Sequence, residues 1–317
     1  MTSPGKMPDS VTAFAPGSVA NVAIGFDILG FSVDAVGDRV TLQRRAQPGV
    51  AIKSITGVVD DLPLEAEKNT AGQALLALAA MRGLDFGFEM RIQKGIPLAS
   101  GLGGSAASAV AAVVAANAML EEPLTRIELL KVAMEGEAVA SGSRHADNIS
   151  PSLFGGLVLT VGIDNPRVKQ IPVPEVIHAV IVHPHLQVST KQARAILSRT
   201  VNMSDFVWQT ANLAGFISGC YTNDLDLIKA SLEDVIIEKQ RQVLIPGFNE
   251  VRAAALDKGA LGCSISGAGP TLFALCLERD ARAVRDAMTG EFARLNIATD
   301  KWIAPVQSGG AHVVSSE

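Results

Sequence analysis

The densest chemistry in this 317-residue sequence lies in the run Pro97-Leu98-Ala99-Ser100-Gly101-Leu102-Gly103-Gly104-Ser105-Ala106-Ala107-Ser108. Glycines let backbone N–H groups point inward with no Cβ in the way. Strong helix formers follow at once, and a helix N-terminus adds unsatisfied N–H donors and a partial positive charge. Together these make a phosphate cradle, to which serine hydroxyls add hydrogen bonds or a Mg²⁺ ligand. The run is not a Walker A loop, because no Lys-Ser/Thr follows its last glycine. Nor is it a dinucleotide fingerprint, because no acidic residue closes a second strand about 20 residues on. The plain alternative is a flexible loop capped by Ser105, with small residues for close helix packing.

Other polar residues are more ambiguous. Asn21 and Asp27 flank Gly25 in a Gly/Pro-rich stretch. Asp offers a carboxylate to an ammonium group and Asn both donates and accepts, yet both also suit ordinary turns. Arg194 and Arg241 could each grip a carboxylate with two parallel hydrogen bonds, or lie on the surface. Glu135 and Glu137 on a helix read first as a solvated face. The run from His145 to Asn148 reads as a polar loop. His183-Pro184-His185 has no carboxylate or cysteine at ligand spacing, so its histidines read as structural. Gly267 and Gly269, within residues 262–271, mark a tight turn between strands that can also approach a ligand.

The elements that must position these groups follow from pattern. Residues 11–14 and 32–45 alternate as strands, with Gly37-Asp38 as a turn dividing the second. A helix over 71–81 has Asn69-Thr70 as its cap and Gly83 as its stop. Residues 86–92 alternate again, the glycine-rich loop 95–104 follows, and an Ala-rich helix spans 105–120. Thr125 and Glu128 form a capping box that opens a helix to about residue 140. Residues 141–150 are polar and 154–161 read as a strand. The composition shifts near Pro172 and Pro174, dividing an N-terminal lobe over 11–172 from a C-terminal lobe over 173–306. The second lobe has a strand at 179–182 and helices near 191–199, 205–220 and 248–257. Strands at 263–266 and 272–277, a helix at 281–292 capped by Asp280, and a strand near 301–304 complete it. That order is compatible with a ferredoxin-like sandwich, so the fold class is α+β.

Composition narrows the function classes. The net charge is −5 and no Lys/Arg run occurs, so no attraction to nucleic acid or an anionic membrane is expected. Aromatics are only 4 %, which argues against a base-stacking platform. The longest apolar stretch, 105–120, is too short and too weakly apolar to span a bilayer. An odd set of 3 cysteines without ligand spacing reads as reduced, and MTSPGKMPDS has no apolar core of a signal peptide, so a cytoplasmic location is expected.

Pro-Leu-Ala-Ser-Gly-Leu-Gly-Gly-Ser-Ala-Ala resembles the nucleotide loop of the GHMP kinases. Two further segments match in the family's order: Ala15-Pro16-Gly17-Ser18-Val19-Ala20-Asn21, continuing to Gly30, and Gly262-Cys263-Ser264-Ile265-Ser266-Gly267-Ala268-Gly269-Pro270-Thr271. Asn six residues before Asp, the run Ser143-Arg144-His145-Ala146-Asp147-Asn148-Ile149-Ser150-Pro151, Ser189-Thr190-Lys191-Gln192-Ala193-Arg194 and Arg241-Gln242-Val243-Leu244-Ile245-Pro246-Gly247-Phe248 resemble its homoserine kinase branch. The resemblance runs from about residue 11 to the C-terminus.

What the resemblance implies is specific. The fold would be the two-lobed GHMP fold, and ATP with Mg²⁺ would phosphorylate the hydroxyl of L-homoserine on the route to threonine. Asn69 and the loop residues Pro97, Leu98, Ala99, Ser100, Gly101, Leu102, Gly103, Gly104, Ser105, Ala106 and Ala107 would hold the nucleotide. Ser105 and Glu137 would hold the metal. Asn21, Asp27, His145, Asn148, Thr190, Arg194 and Arg241 would hold the amino acid. No dedicated base is expected, and Asp147 is left out of the catalytic set, because phosphoryl transfer is mainly positioning and charge neutralisation. A homodimer is a family-level expectation. Gly104 stands where the family usually carries the first of two serines; the backbone donors survive, so nucleotide binding should persist. The alternatives are a relative acting on a mevalonate- or shikimate-type alcohol and a catalytically silent relative that binds a ligand.

Overall fold

The computed structural model describes residues 8–141 and 145–317. Its first sheet is built from β1 (Ser10–Ala20), β2 (Leu29–Arg45), β3 (Gly49–Gly57), β4 (Gly87–Lys94), β5 (Leu157–Val161) and β6 (Arg167–Ile171), with the chain-terminal β11 (His312–Ser316). The order is β11-β1-β2-β4-β3, with β5 on β2 and β6 on β5. All pairs are antiparallel except β3 with β4.

The helices of this half start where local chemistry starts them. In α1 (Thr70–Arg82) the Asn69 side chain accepts from Ala71 and Gly72 N–H, and Gly83 closes the helix at φ 59°. In α3 (Arg126–Ser141) the Glu128 carboxylate accepts from the Thr125 N–H and hydroxyl, both at 2.7 Å, which is the expected capping box. Between them, α2 (Gly104–Asn117) buries 10 of its residues, nearly all Ala or Val. Small side chains let it lie close on β1 and β2, flanked by α1 and α3.

Two expectations fail here for physical reasons. Gly37-Asp38 is not a turn. β2 runs through it as one strand, and the irregularity is a bulge where pairing to β1 jumps from Pro16–Gly37 to Gly17–Val33. Glycine is needed at 37 because a Cβ there would meet the Ala15 carbonyl oxygen and the Phe14 ring. The strand expected from residue 154 is preceded by a short buried helix, α4 (Ile149–Phe154), whose Pro151 sits in the first turn where its missing N–H is harmless.

The second sheet joins β7 (Ile177–Pro184), β8 (Ala260–Ile265), β9 (Leu272–Leu277) and β10 (Thr299–Pro305) in the order β10-β7-β9-β8, all antiparallel. Between β7 and β8 lie α5 (Thr190–Ala195), α6 (Met203–Thr222), α7 (Leu225–Ser231), α8 (Glu238–Arg241) and α9 (Phe248–Asp257); α10 (Ala281–Arg294) joins β9 to β10. Order and connections are those of a ferredoxin-like sandwich. Asp280 stands at the start of α10, but its side chain makes no capping hydrogen bond. Strand alternation splits the core. Val180, Val182, Leu272 and Ala274 pack with α9 and α10, while Ala179, Ile181, Phe273 and Leu275 join the core of the first sheet. The fold is thus α+β with two sheets sharing one apolar layer.

Candidate active site

A cavity of about 860 Å³ opens between the two sheets. Its lining brings together Asn21, Asp27, Asn69, Glu137, His145, Asn148, Thr190, Arg194 and Arg241 with most of the glycine-rich loop. Pro97, Leu98, Ala99, Ser100, Gly101, Gly103, Gly104 and Ser105 all face it. Leu102, Ala106 and Ala107 are fully buried and do not line it; their side chains belong to the core, and the N–H groups of Leu102 and Ala107 already donate to Ser100 Oγ and the Gly103 carbonyl oxygen. Of the run 143–151, Ser143 and Arg144 lie outside the described residues.

The glycine-rich loop is laced to its neighbours by main-chain contacts. Ser266 Oγ donates to the Gly101 carbonyl oxygen at 2.7 Å, and the Thr271 N–H donates to that of Ser100 at 3.2 Å. Gly101 has φ 82°, and a Cβ there would collide with the Ser266 and Gly269 carbonyl oxygens. The two loops therefore approach closely because Gly101 carries no side chain at the contact. Where the loop turns into α2, Ser105 Oγ donates to Glu137 Oε2 at 2.8 Å.

The β1–β2 connection is conformationally costly. Asn21, Val22, Ala23 and Asp27 all have positive φ, at 72°, 46°, 59° and 62°. Each such non-glycine residue costs of order 1–3 kcal/mol, and the two buried strands impose it. Asn21 holds the connection together. Its Oδ1 accepts from the Asp27 N–H at 3.0 Å, and its Nδ2 donates to the Gly267 carbonyl at 3.0 Å. Asn21 thus spends its amide on fixing Asp27, the turn role that the residue type also allowed.

Asp27 in turn meets Arg194 from α5. Arg194 Nη1 and Nη2 donate to the two Asp27 oxygens at 3.0 and 2.9 Å, in a bidentate pair that raises the arginine pKa. Arg241, from α8, is different. It is buried, and its Nε and Nη1 donate to the backbone carbonyls of Ala193 and Gly267 at 3.1 and 2.9 Å. No carboxylate is bonded to it among the described residues. Burial, and the neighbouring Arg194 cation, push its pKa down. Both guanidinium groups lie over the Phe26 ring, 5.3 and 5.0 Å from its centre.

Glu137 and Asp147 also line the cavity. Burial drives the Glu137 carboxyl up to about 7 against the Ser105 hydrogen bond, with the Asp147 charge adding to the rise. Burial and then the Asp27 charge drive Asp147 up to about 7. His145 is pushed down, by burial first and then by Arg194. Glu137 with the Ser105 hydroxyl supplies hard oxygen ligands, which suits Mg²⁺, an ion that takes one or two carboxylates and leaves its other positions to phosphate and water. No group of three metal-ligating side chains occurs among the described residues.

Several supporting groups escaped the sequence reading. Ser18 donates to Asn148 Oδ1 at 2.9 Å, which places Asn148 against Gly103 of the loop. Beneath the loop lies a buried ion pair of Lys94 and Asp38. His183 and His185 stand outside the cavity lining, bonded to Thr271 and Asp300 at 3.1 Å each, the structural roles expected of them.

Comparison with known proteins agrees with this geometry. Residues 69–156 match the model of the GHMP kinases N terminal domain, and residues 216–294 match that of the GHMP kinases C terminal domain. The chain is 49 % identical over 304 residues to a homoserine kinase of Xanthomonas campestris, covering 96 % of this chain and 94 % of the relative. It is 41 % identical to one of Chlorobaculum tepidum, covering 97 % and 99 %. A crystal structure of homoserine kinase from Cytophaga hutchinsonii superposes with a TM-score of 0.94 at 46 % identity, over 98 % of each chain. The chain belongs to the GHMP kinase family, among its homoserine kinases.

Proposed function

We propose that the cavity binds ATP and L-homoserine side by side and that the chain transfers the γ-phosphoryl group to the homoserine hydroxyl, giving O-phospho-L-homoserine on the route to threonine. The names of its relatives support the reaction. The observation that carries the residue assignment is Arg241, a buried guanidinium with no carboxylate bonded to it among the described residues, across one cavity from a glycine-rich helix N-terminus. A buried cation of this kind is a site for an anion, and its planar fork fits a carboxylate.

The two halves divide the work. Backbone N–H groups of residues 98–106 and the α2 N-terminus cradle the phosphates. Leu62, Pro63, Ile92 and Ile96 give the cavity an apolar wall for the base, beside Asn69. Ser105 and Glu137 would hold Mg²⁺, which when bound neutralises the developing charge on the phosphates. Arg241 and Arg194 orient the amino-acid carboxylate; Asp27 takes the ammonium group; His145, Asn148 and Thr190 border the hydroxyl end. No side chain is assigned as general base. Holding acceptor and donor in line is worth effective molarities of ~10⁵ M or more, which leaves little for a base to add. The reading includes a cytoplasmic location, where both substrates are made, and a homodimer.

ADP release, measured with ATP and Mg²⁺ against homoserine, serine, mevalonate and shikimate, tests it. Homoserine should be turned over far faster than the others. Turnover only of an alcohol without an amine would reject the acceptor and leave the kinase reading standing.

A further inference from the structure

Asp38 and Lys94 are buried charges with no part in the assignment above. Asp38 is fully buried at the β2 bulge and Lys94, at the end of β4, is 5 % exposed. Their contacts are all spent on one object. Asp38 Oδ1 accepts the N–H groups of Gly95 and Ile96 at 2.9 and 3.3 Å, the first residues of the glycine-rich loop. Its Oδ2 accepts from Lys94 Nζ and from Ser108 Oγ, the latter at 2.7 Å. Lys94 Nζ donates also to the Gly104 carbonyl and to Ser108 Oγ, both at 2.8 Å, at the loop's far end. All three ammonium donors are used.

Stability alone is a poor reason for such a pair. Desolvation offsets the attraction between buried charges, and apolar residues of similar shape often replace them without loss. A cation beside the first turn of α2 also opposes the helix dipole. The same placement suits an anion-binding loop, since the cationic end of the pair borders the cavity and the anionic end does not. Lys94 and Ser108 both border the cavity. At Gly104 a Cβ would stand 3.2 Å from Ile96 Cγ2 and 3.6 Å from Lys94 Nζ, so glycine lets the start of α2 sit close over the ammonium.

We propose that Asp38 and Lys94 are positioning residues that clasp both ends of the nucleotide loop and so set affinity for the nucleotide, not for the acceptor alcohol. The inference rests on the nucleotide half of the reading above. The test is calorimetric titration with ADP, paired with the homoserine KM at saturating ATP and with thermal unfolding. Lys94→Met and the double variant Asp38→Leu/Lys94→Met should weaken ADP ~10-fold or more, since a loop displaced by about 1 Å loses its alignment. The homoserine KM should stay within ~2-fold, and the double variant, with no charge left unpaired, should melt above Lys94→Met. Lys94→Arg should recover part of the affinity. Ser108→Ala, the mildest change, should weaken ADP ~3-fold through the loss of its hydrogen bonds to Asp38 and Lys94. A double variant that melts and binds ADP like the wild type overturns the proposal, as does a homoserine KM that rises in parallel with the ADP dissociation constant. Should the charge variants fail to fold, unchanged ADP affinity in Ser108→Ala overturns it. A wild type without ADP affinity would instead reject the nucleotide reading of the cavity.

Discussion

At the scale of single residues, the two arginines differ in what an incoming carboxylate must displace. Arg194 already has an anionic partner in Asp27, whereas Arg241 is bonded only to backbone carbonyls. Arg241 should therefore carry more of the substrate's carboxylate. Truncating one charged partner in a desolvated site costs ~2–5 kcal/mol, so Arg241→Leu should lower kcat/KM for homoserine at least ~30-fold. Nucleotide affinity, titrated separately, should change little. Arg241→Lys should restore only part, because an ammonium cannot make the paired bonds. Loss of ATP binding with homoserine spared would invert the two halves of the cavity. These residues were legible as types at spacings, but their partners were not: nothing in the sequence says that Asn21 spends its amide on Asp27 and Gly267. The Asp38–Lys94 pair had a signal that went unread. Lys94 is in phase with Phe88, Met90 and Ile92, and Asp38 with Val40 and Leu42, so alternation placed both charges on buried faces.

At the scale of elements, capping chemistry and periodicity placed α1, α3, α9, β9 and α10 close to where they lie, because their signals are local. The pattern did not mark β3, β6 or β11, whose alternation is weak or whose faces are exposed, and it missed α8, a single turn. That turn presents Arg241, and its own support is acidic. Asp234 accepts the N–H groups of Ile236, Ile237 and Glu238 at 2.8, 2.9 and 2.9 Å. Burial drives the Glu238 carboxyl from its ordinary 4.5 up to about 7, against a hydrogen bond from Ser264 of β8 and the charge of Arg252 of α9, with Asp234 and Glu233 adding to the rise. The folded protein therefore keeps this proton between pH 4.5 and about 7, where the unfolded chain has released it. Stability from this site falls as pH rises through that window and stays lowered above it. Glu238→Gln removes the titration while keeping a partner for Ser264. Its melting temperature should match the wild type near pH 4 and exceed it by ~2 °C or more at pH 8. A difference that does not change with pH would show that folding leaves the Glu238 pKa at its ordinary value.

At the scale of the molecule, a division into lobes describes the topology better than the energetics. One apolar cluster includes Phe31 and Leu42 of the first sheet together with Ile181, Phe273 and Leu275 of the second. Phe31 and Phe273 meet edge to face, with ring centres 5.7 Å apart at 76°. The chain then returns from β10 to add β11 beside β1, so the first sheet is completed by a strand that follows the whole second sheet in the chain. The cavity depends on the same arrangement, because the Ser100–Gly101 backbone is tied to Ser266 and Thr271 across the junction. Neither sheet has a complete core or a complete binding site alone. Unfolding should therefore be one cooperative transition, with calorimetric and van't Hoff enthalpies in agreement. Phe273→Ala removes a fully buried ring at the junction and should destabilise the whole chain by ~3–5 kcal/mol. In scanning calorimetry the single peak should move down intact, and ADP should raise it in the variant as in the wild type. A peak that splits, with only one part displaced, would mean that the two sheets fold as separate units, and the active site would then be an interface between domains.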